Sequence, residues 1–123
     1  MATILIVDDY QDVRMYLGSF LSDNGYQTVT ADDGEAGLEA VKKNKPDLIT
    51  LDIIMPNQTG VKMYRAVKDD DDLKDIPVII VSGVTRYKEL FRRSHKTMPK
   101  PEGFIEKPID RGALLEKIKE VIG

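Results

Sequence analysis

Two kinds of apolar pattern alternate along this chain. Short, unbroken apolar runs stand at Thr3 to Val7, at Leu48 to Leu51 and at Pro77 to Val81. Runs of that length, rich in β-branched residues, read as strands buried in a parallel sheet. Gln27 to Ala31 is shorter of apolar residues and predicts a strand nearer the sheet edge, and Gly103 to Glu106 predicts a short last strand. Between the strands, apolar residues recur at helical spacing. Val13, Leu17, Phe20 and Leu21 mark a first helix over about 11–24. Leu38 and Val41, beside small Gly37, mark a second after Asp32-Asp33-Gly34, and Met63, Tyr64 and Val67 a third that Thr59 would cap. Leu90 and Phe91 anchor a fourth over about 86–94. Leu114, Leu115, Ile118, Val121 and Ile122 form the stripe of a fifth, capped by Asp110. Asn24-Gly25, Lys45-Pro46 and Lys107-Pro108 punctuate the blocks.

Strand and helix in strict alternation predict an α/β domain, a five-stranded parallel sheet covered on both faces. Right-handed crossovers leave few topologies, but periodicity alone does not fix the strand order.

Composition narrows the chemistry. The chain has 123 residues, 41% hydrophobic and 32% charged, which suits one globular domain. The net charge of −3 argues against a general nucleic-acid binder. With no cysteine and a single histidine, His95, neither a thiolate metal site nor a Ser-His-Asp triad can be assembled. No apolar run has membrane-spanning length and no signal peptide is visible, so a cytoplasmic protein is expected. The run Asp69 to Asp72 is expected to be a solvated loop, because like charges in a row repel.

The unusual residues all fall at the carboxyl ends of predicted strands. They are Asp8-Asp9, Asp52, Ser82 and Lys107. In a parallel sheet these ends share one edge, where ligands bind in open α/β folds. Carboxylates gathered there repel one another unless a cation joins them, and Mg²⁺ favours carboxylates, waters and phosphate oxygens. A lysine and a hydroxyl facing the acids suit a phosphoryl group on or near Asp52.

The chain resembles the receiver domains of bacterial two-component response regulators, of the single-domain, chemotaxis-regulator-like kind. The resemblance rests on Asp8-Asp9, on Asp52-Ile53-Ile54-Met55-Pro56, on Ser82-Gly83 and on Phe104 to Pro108, in that order. It implies a doubly wound, flavodoxin-like receiver fold with strand order 2-1-3-4-5. It implies that Asp52 accepts a phosphoryl group from a histidine kinase or phosphotransfer protein. Asp8, Asp9, Asp52 and the backbone carbonyl of Ile54 would hold Mg²⁺. Lys107 and Ser82 would contact phosphoryl oxygens, Phe104 would be a switch aromatic turning inward behind Ser82, and Lys107-Pro108 would be cis. The implied protein is no enzyme beyond its own phosphorylation and dephosphorylation. It would be a single receiver domain over 1–123 without an output domain. It would signal through another protein, with no direct contact to nucleic acid or membrane.

Two departures from the family pattern stand out. The stretch between Ser82 and Lys107 is a few residues longer than is usual in the family, and Lys100-Pro101 replaces the small residues expected before Phe104. A basic loop with Arg92, Arg93, Lys96 and Lys100 is therefore expected to change what docks on the 86–101 segment and the fifth helix. Ile54 and Val84 are apolar where they would flank attacking water, so a long-lived phosphoryl group is expected.

Three other classes share the fold. An aspartyl phosphohydrolase would carry a second Asp two residues after its nucleophile, whereas Ile53-Ile54 follow Asp52. A flavodoxin-like carrier needs a phosphate cradle where Asp8-Asp9 stand. A receiver used as a phosphorylation-independent scaffold remains compatible with the sequence.

Overall fold

The computed structural model describes residues 2–83 and 100–123, leaving aside the side chain of Gln58. The helix expected over 86–94, with Leu90 and Phe91, lies outside the described residues, as do Val84, Arg92, Arg93, His95 and Lys96. Five strands, β1 (Thr3–Val7), β2 (Gln27–Ala31), β3 (Leu48–Leu51), β4 (Val78–Ser82) and β5 (Gly103–Glu106), form one sheet in the order β2-β1-β3-β4-β5. Every pairing is parallel. The described helices are α1 (Gln11–Asp23), α2 (Gly34–Asn44), α3 (Thr59–Asp69) and α4 (Arg111–Ile122), the last being the fifth helix of the sequence pattern.

Alternation along the strands sends side chains to two cores. Leu5, Val7, Ile49, Leu51, Val78 and Ile80 pack against Val41 of α2 and Met63, Tyr64 and Val67 of α3. On the other face Ile4, Ile6, Leu48, Ile79, Val81 and Ile105 pack against Leu17 and Leu21 of α1 and Leu114 and Ile118 of α4. Gly37 allows the first layer to close up, since a Cβ there would stand 2.6 Å from Met63 Sδ and 3.1 Å from Val7 Cγ2.

The capping expectations divide. Asp110 accepts from the Ala113 N–H at 3.1 Å and so caps α4. Thr59 does not cap α3: its Oγ1 is buried without a hydrogen-bond partner, and a short 3₁₀ turn over Pro56–Gln58 leads into the helix instead. That turn contains Asn57 at φ 60°, a conformation that Asn tolerates better than most residues. Asp69 ends α3 and Asp70 to Asp72 lie in the loop between α3 and β4, mostly exposed as expected.

Candidate functional site: a carboxylate cluster at the sheet edge

Register brings the acids together. Val7 pairs with Leu51 at the ends of β1 and β3, so Asp8 and Asp52, each one residue further, emerge side by side. The Asp52 N–H donates to the Val7 carbonyl at 2.9 Å, and the Asp8 N–H to the Ala31 carbonyl at 3.2 Å. On the other side Ser82 pairs with Glu106, and the Lys107 N–H donates to the Ser82 carbonyl at 2.8 Å. The Lys107-Pro108 peptide is cis, as expected.

Lys107 reaches back across the edge. Its Nζ donates to Asp8 Oδ2 at 2.8 Å and to Asp52 Oδ2 at 3.3 Å. Both acids are buried, so these ion pairs act in a poorly hydrated place. The second oxygen of each acid takes a backbone donor: Tyr10 N–H to Asp8 Oδ1 at 2.9 Å, and Ile54 N–H to Asp52 Oδ1 at 3.0 Å. Neither acid of the Asp8-Asp9 pair caps α1, whose N-cap position is Tyr10. Arg14 Nη1 donates to the Asp8 carbonyl at 2.8 Å and fixes the turn into that helix.

Burial pushes the Asp52 carboxyl up from 3.8 to about 6. The Lys107 charge and the Ile54 N–H pull it down, while the Asp8 charge adds to the rise. Burial alone would lower the Lys107 ammonium. Its hydrogen bond to Asp8 and the charges of Asp52 and Asp8 outweigh that, and its pKa ends raised.

Oxygen atoms of Asp8, Asp9 and Asp52 lie within 4.8 Å of one another. Asp9 Oδ1 is buried and accepts no hydrogen bond among the described residues. A buried anionic oxygen without a donor is costly, and a hard divalent cation supplies what it lacks. The three carboxylates therefore fit such an ion. Ser82 Oγ, at the end of β4, is likewise buried without a partner among the described residues. Phe104 lies on β5 and is 39% exposed. A groove of about 470 Å³, lined by Val13, Tyr16, Pro108 and Ile109 among others, opens beside Lys107.

The sequence did not single out Tyr10, Arg14 or the pair Lys68 and Glu102. Lys68 buries its ammonium between the carbonyls of Lys74 and Ile76 and the Glu102 carboxylate, 3.2 Å away. Nothing in their local patterns separates these side chains from ordinary surface residues.

The family model of the response regulator receiver domain matches residues 4–119. The chain is 34% identical to protein PilH of Pseudomonas aeruginosa, over 99% of this chain and 98% of that one. It is 32% identical to the chemotaxis protein CheY of the same organism, over 96% and 94% of the two chains. Its fold superposes with a TM-score of 0.84 on response regulator protein TrrA of Thermotoga maritima in complex with Mg²⁺ and BeF, which is 28% identical over 98% of this chain and 99% of that one. With five parallel strands in the order 2-1-3-4-5 and the acids of β1 and β3 joined at one edge, the chain belongs to the response regulator receiver domain family of two-component signalling.

Proposed function

We propose that this domain is a phosphorylation-gated binding module in which Asp52 is the phospho-acceptor. The observation that carries the reading is Lys107 Nζ bonded to both Asp8 and Asp52, with Asp9 in the same cluster. In the transfer, an Asp52 carboxylate oxygen forms a bond to phosphorus as the donor's N–P bond breaks. The electron pair stays on the donor imidazole. Lys107 keeps its protons and balances the charge that builds on the phosphoryl oxygens. Ser82 offers its unpartnered hydroxyl to another of those oxygens. Asp8, Asp9, Asp52 and the Ile54 carbonyl would hold Mg²⁺, which when bound neutralises the carboxylates and the phosphoryl group.

The donor is a histidine kinase or phosphotransfer protein, and the groove beside Lys107 offers it an apolar footing. Outside the donor reaction the domain acts on no separate substrate. Its output is altered binding of a partner protein in the cytoplasm, through the face around β5 and α4 where Phe104 stands exposed.

The test is titration with beryllium fluoride, with and without Mg²⁺, on the wild type and Asp52→Asn, followed by NMR. Mg²⁺-dependent shifts at Ser82 and Phe104 that vanish in Asp52→Asn are expected. A wild type that shows none is a scaffold, not a phosphorylated switch.

A further inference from the structure

Tyr10 follows the Asp8-Asp9 pair directly and is 63% exposed, an unusual setting for an aromatic ring. Its ring nonetheless has a partner. Lys107 Nζ lies 5.7 Å from the ring centroid, within the range at which the negative face of an aromatic attracts an ammonium. The backbone of the same residue holds the other member of the ion pair, since the Tyr10 N–H donates to Asp8 Oδ1 while Lys107 donates to Asp8 Oδ2. One residue therefore grips both Asp8 and Lys107. Asp8 and Asp52 are buried and Tyr10 is exposed, so the ring lies on the outer side of the ammonium. That is the side from which water would draw Lys107 away.

We propose that Tyr10 is a positioning residue, its ring face holding the Lys107 ammonium over the Asp52 carboxylate. This rests on Asp52 being the phospho-acceptor. The lysine stem is long and carries much rotamer freedom, and its charge is strongly hydrated. Two acids hold it from the buried side, and the ring adds a contact from the exposed side. With acetyl phosphate as donor, a new O–P bond to Asp52 forms and the acetyl O–P bond breaks. Acetate leaves with the electron pair. Lys107 keeps its protons throughout, so Tyr10 acts only on where that charge stands.

Tyr10→Phe keeps the ring, and Tyr10→Leu keeps apolar bulk without it. The exposed position leaves the fold intact in both. Two readouts are taken on each variant: the NMR shift of the Lys107 ε-methylene protons, and the rate of Asp52 phosphorylation by acetyl phosphate with saturating Mg²⁺, followed by intact mass. A ring-current shift is expected in the wild type and Tyr10→Phe and absent in Tyr10→Leu. The Tyr10→Leu rate falls about two- to five-fold, the equivalent of about 0.5–1 kcal/mol, and Tyr10→Phe restores it. An unshifted Lys107 in the wild type, an unchanged Tyr10→Leu rate, or a Tyr10→Phe as slow as Tyr10→Leu overturns the inference while leaving Asp52 as acceptor. A wild type that takes no phosphoryl group removes the acceptor and this role with it.

Discussion

The Lys107 ammonium lies 2.8 Å from Asp8 Oδ2, closer than the 3.3 Å that separates it from Asp52 Oδ2. The lysine is thus anchored mainly on Asp8 and more weakly on Asp52, the proposed acceptor, and the weaker contact is the one a phosphoryl oxygen would replace. Lys107→Met leaves buried carboxylates uncompensated. It destabilises the metal-free protein by about 3 kcal/mol, the scale for breaking a buried ion pair. Mg²⁺ then binds more tightly than in the wild type, because a competing positive charge has gone. Urea denaturation in EDTA and calorimetric Mg²⁺ titration check both effects; equal Mg²⁺ affinity in the two proteins contradicts this account.

Asp52 sets a pH dependence of defined sign. Its folded carboxyl titrates near 6 against an ordinary 3.8, so the folded state binds this proton more tightly than the unfolded state does. Its stabilising contribution is present at low pH and is lost as pH rises through about 6. Relative to Asp52→Asn, the metal-free wild type gains about 1 kcal/mol between pH 7 and pH 5. Thermal melts of the two proteins in EDTA across that window measure the difference. Parallel curves would mean that Asp52 is not desolvated.

Two glycines let the start of α3 pack closely, one against the loop after β3 and one against α2. A Cβ on Gly60 would stand 2.5 Å from the Asp52 carbonyl oxygen, and one on Gly34 would overlap the Thr59 carbonyl. Both neighbours are backbone and cannot step aside. Gly60→Ala and Gly34→Ala therefore destabilise by about 2–3 kcal/mol. Gly18, inside α1, has only Thr28 Oγ1 at 3.8 Å in its way, and Gly18→Ala stabilises by about 0.5–1 kcal/mol. Chemical denaturation of the three variants gives opposite signs if the packing is as described.

At the far end of the sheet, Lys68 ties three segments together. Its side chain is 5% exposed and its ammonium donates to the Lys74 and Ile76 carbonyls, while Glu102 also accepts the Val78 N–H at 2.6 Å. Burial and the Glu102 charge push the neighbouring Tyr64 phenol up. Lys68→Met takes the donor from two loop carbonyls and the partner from the Glu102 carboxylate, and costs about 1 kcal/mol. Hydrogen exchange is expected to speed up over 73–78, with no change in Asp52 phosphorylation. A variant that loses phosphorylation while keeping its stability would show that this end communicates with the acids.

Ile54 is partly exposed beside the Asp52 carboxylate, to which its N–H is bonded. Replacing it with Asn gives attacking water a polar neighbour, and the phosphoryl group is expected to be lost several times faster, on the scale of one hydrogen bond of about 1 kcal/mol. Decay of phosphorylated protein, followed by intact mass, is the measurement. No acceleration would place the slow step elsewhere.

Much of this domain could be read in advance from its one-dimensional pattern. Apolar runs placed the three central strands to within a residue, because a strand buried on both faces leaves little room for polar side chains, and the two edge strands were read from shorter, partly polar stretches. The carboxyl-end rule put Asp8, Asp9, Asp52, Ser82 and Lys107 on one edge before any coordinates. What the pattern could not supply is register. Whether Val7 stands opposite Leu51, which makes Asp8 and Asp52 neighbours, depends on pairings between residues far apart in sequence. The same holds for Lys107 choosing Asp8 over Asp52, for the Tyr10 ring over that ammonium, and for the Lys68 tie to Glu102. Local propensity leaves marks every two or four residues. A contact between residues brought together only by the assembled sheet leaves none, and the tertiary structure alone decides it.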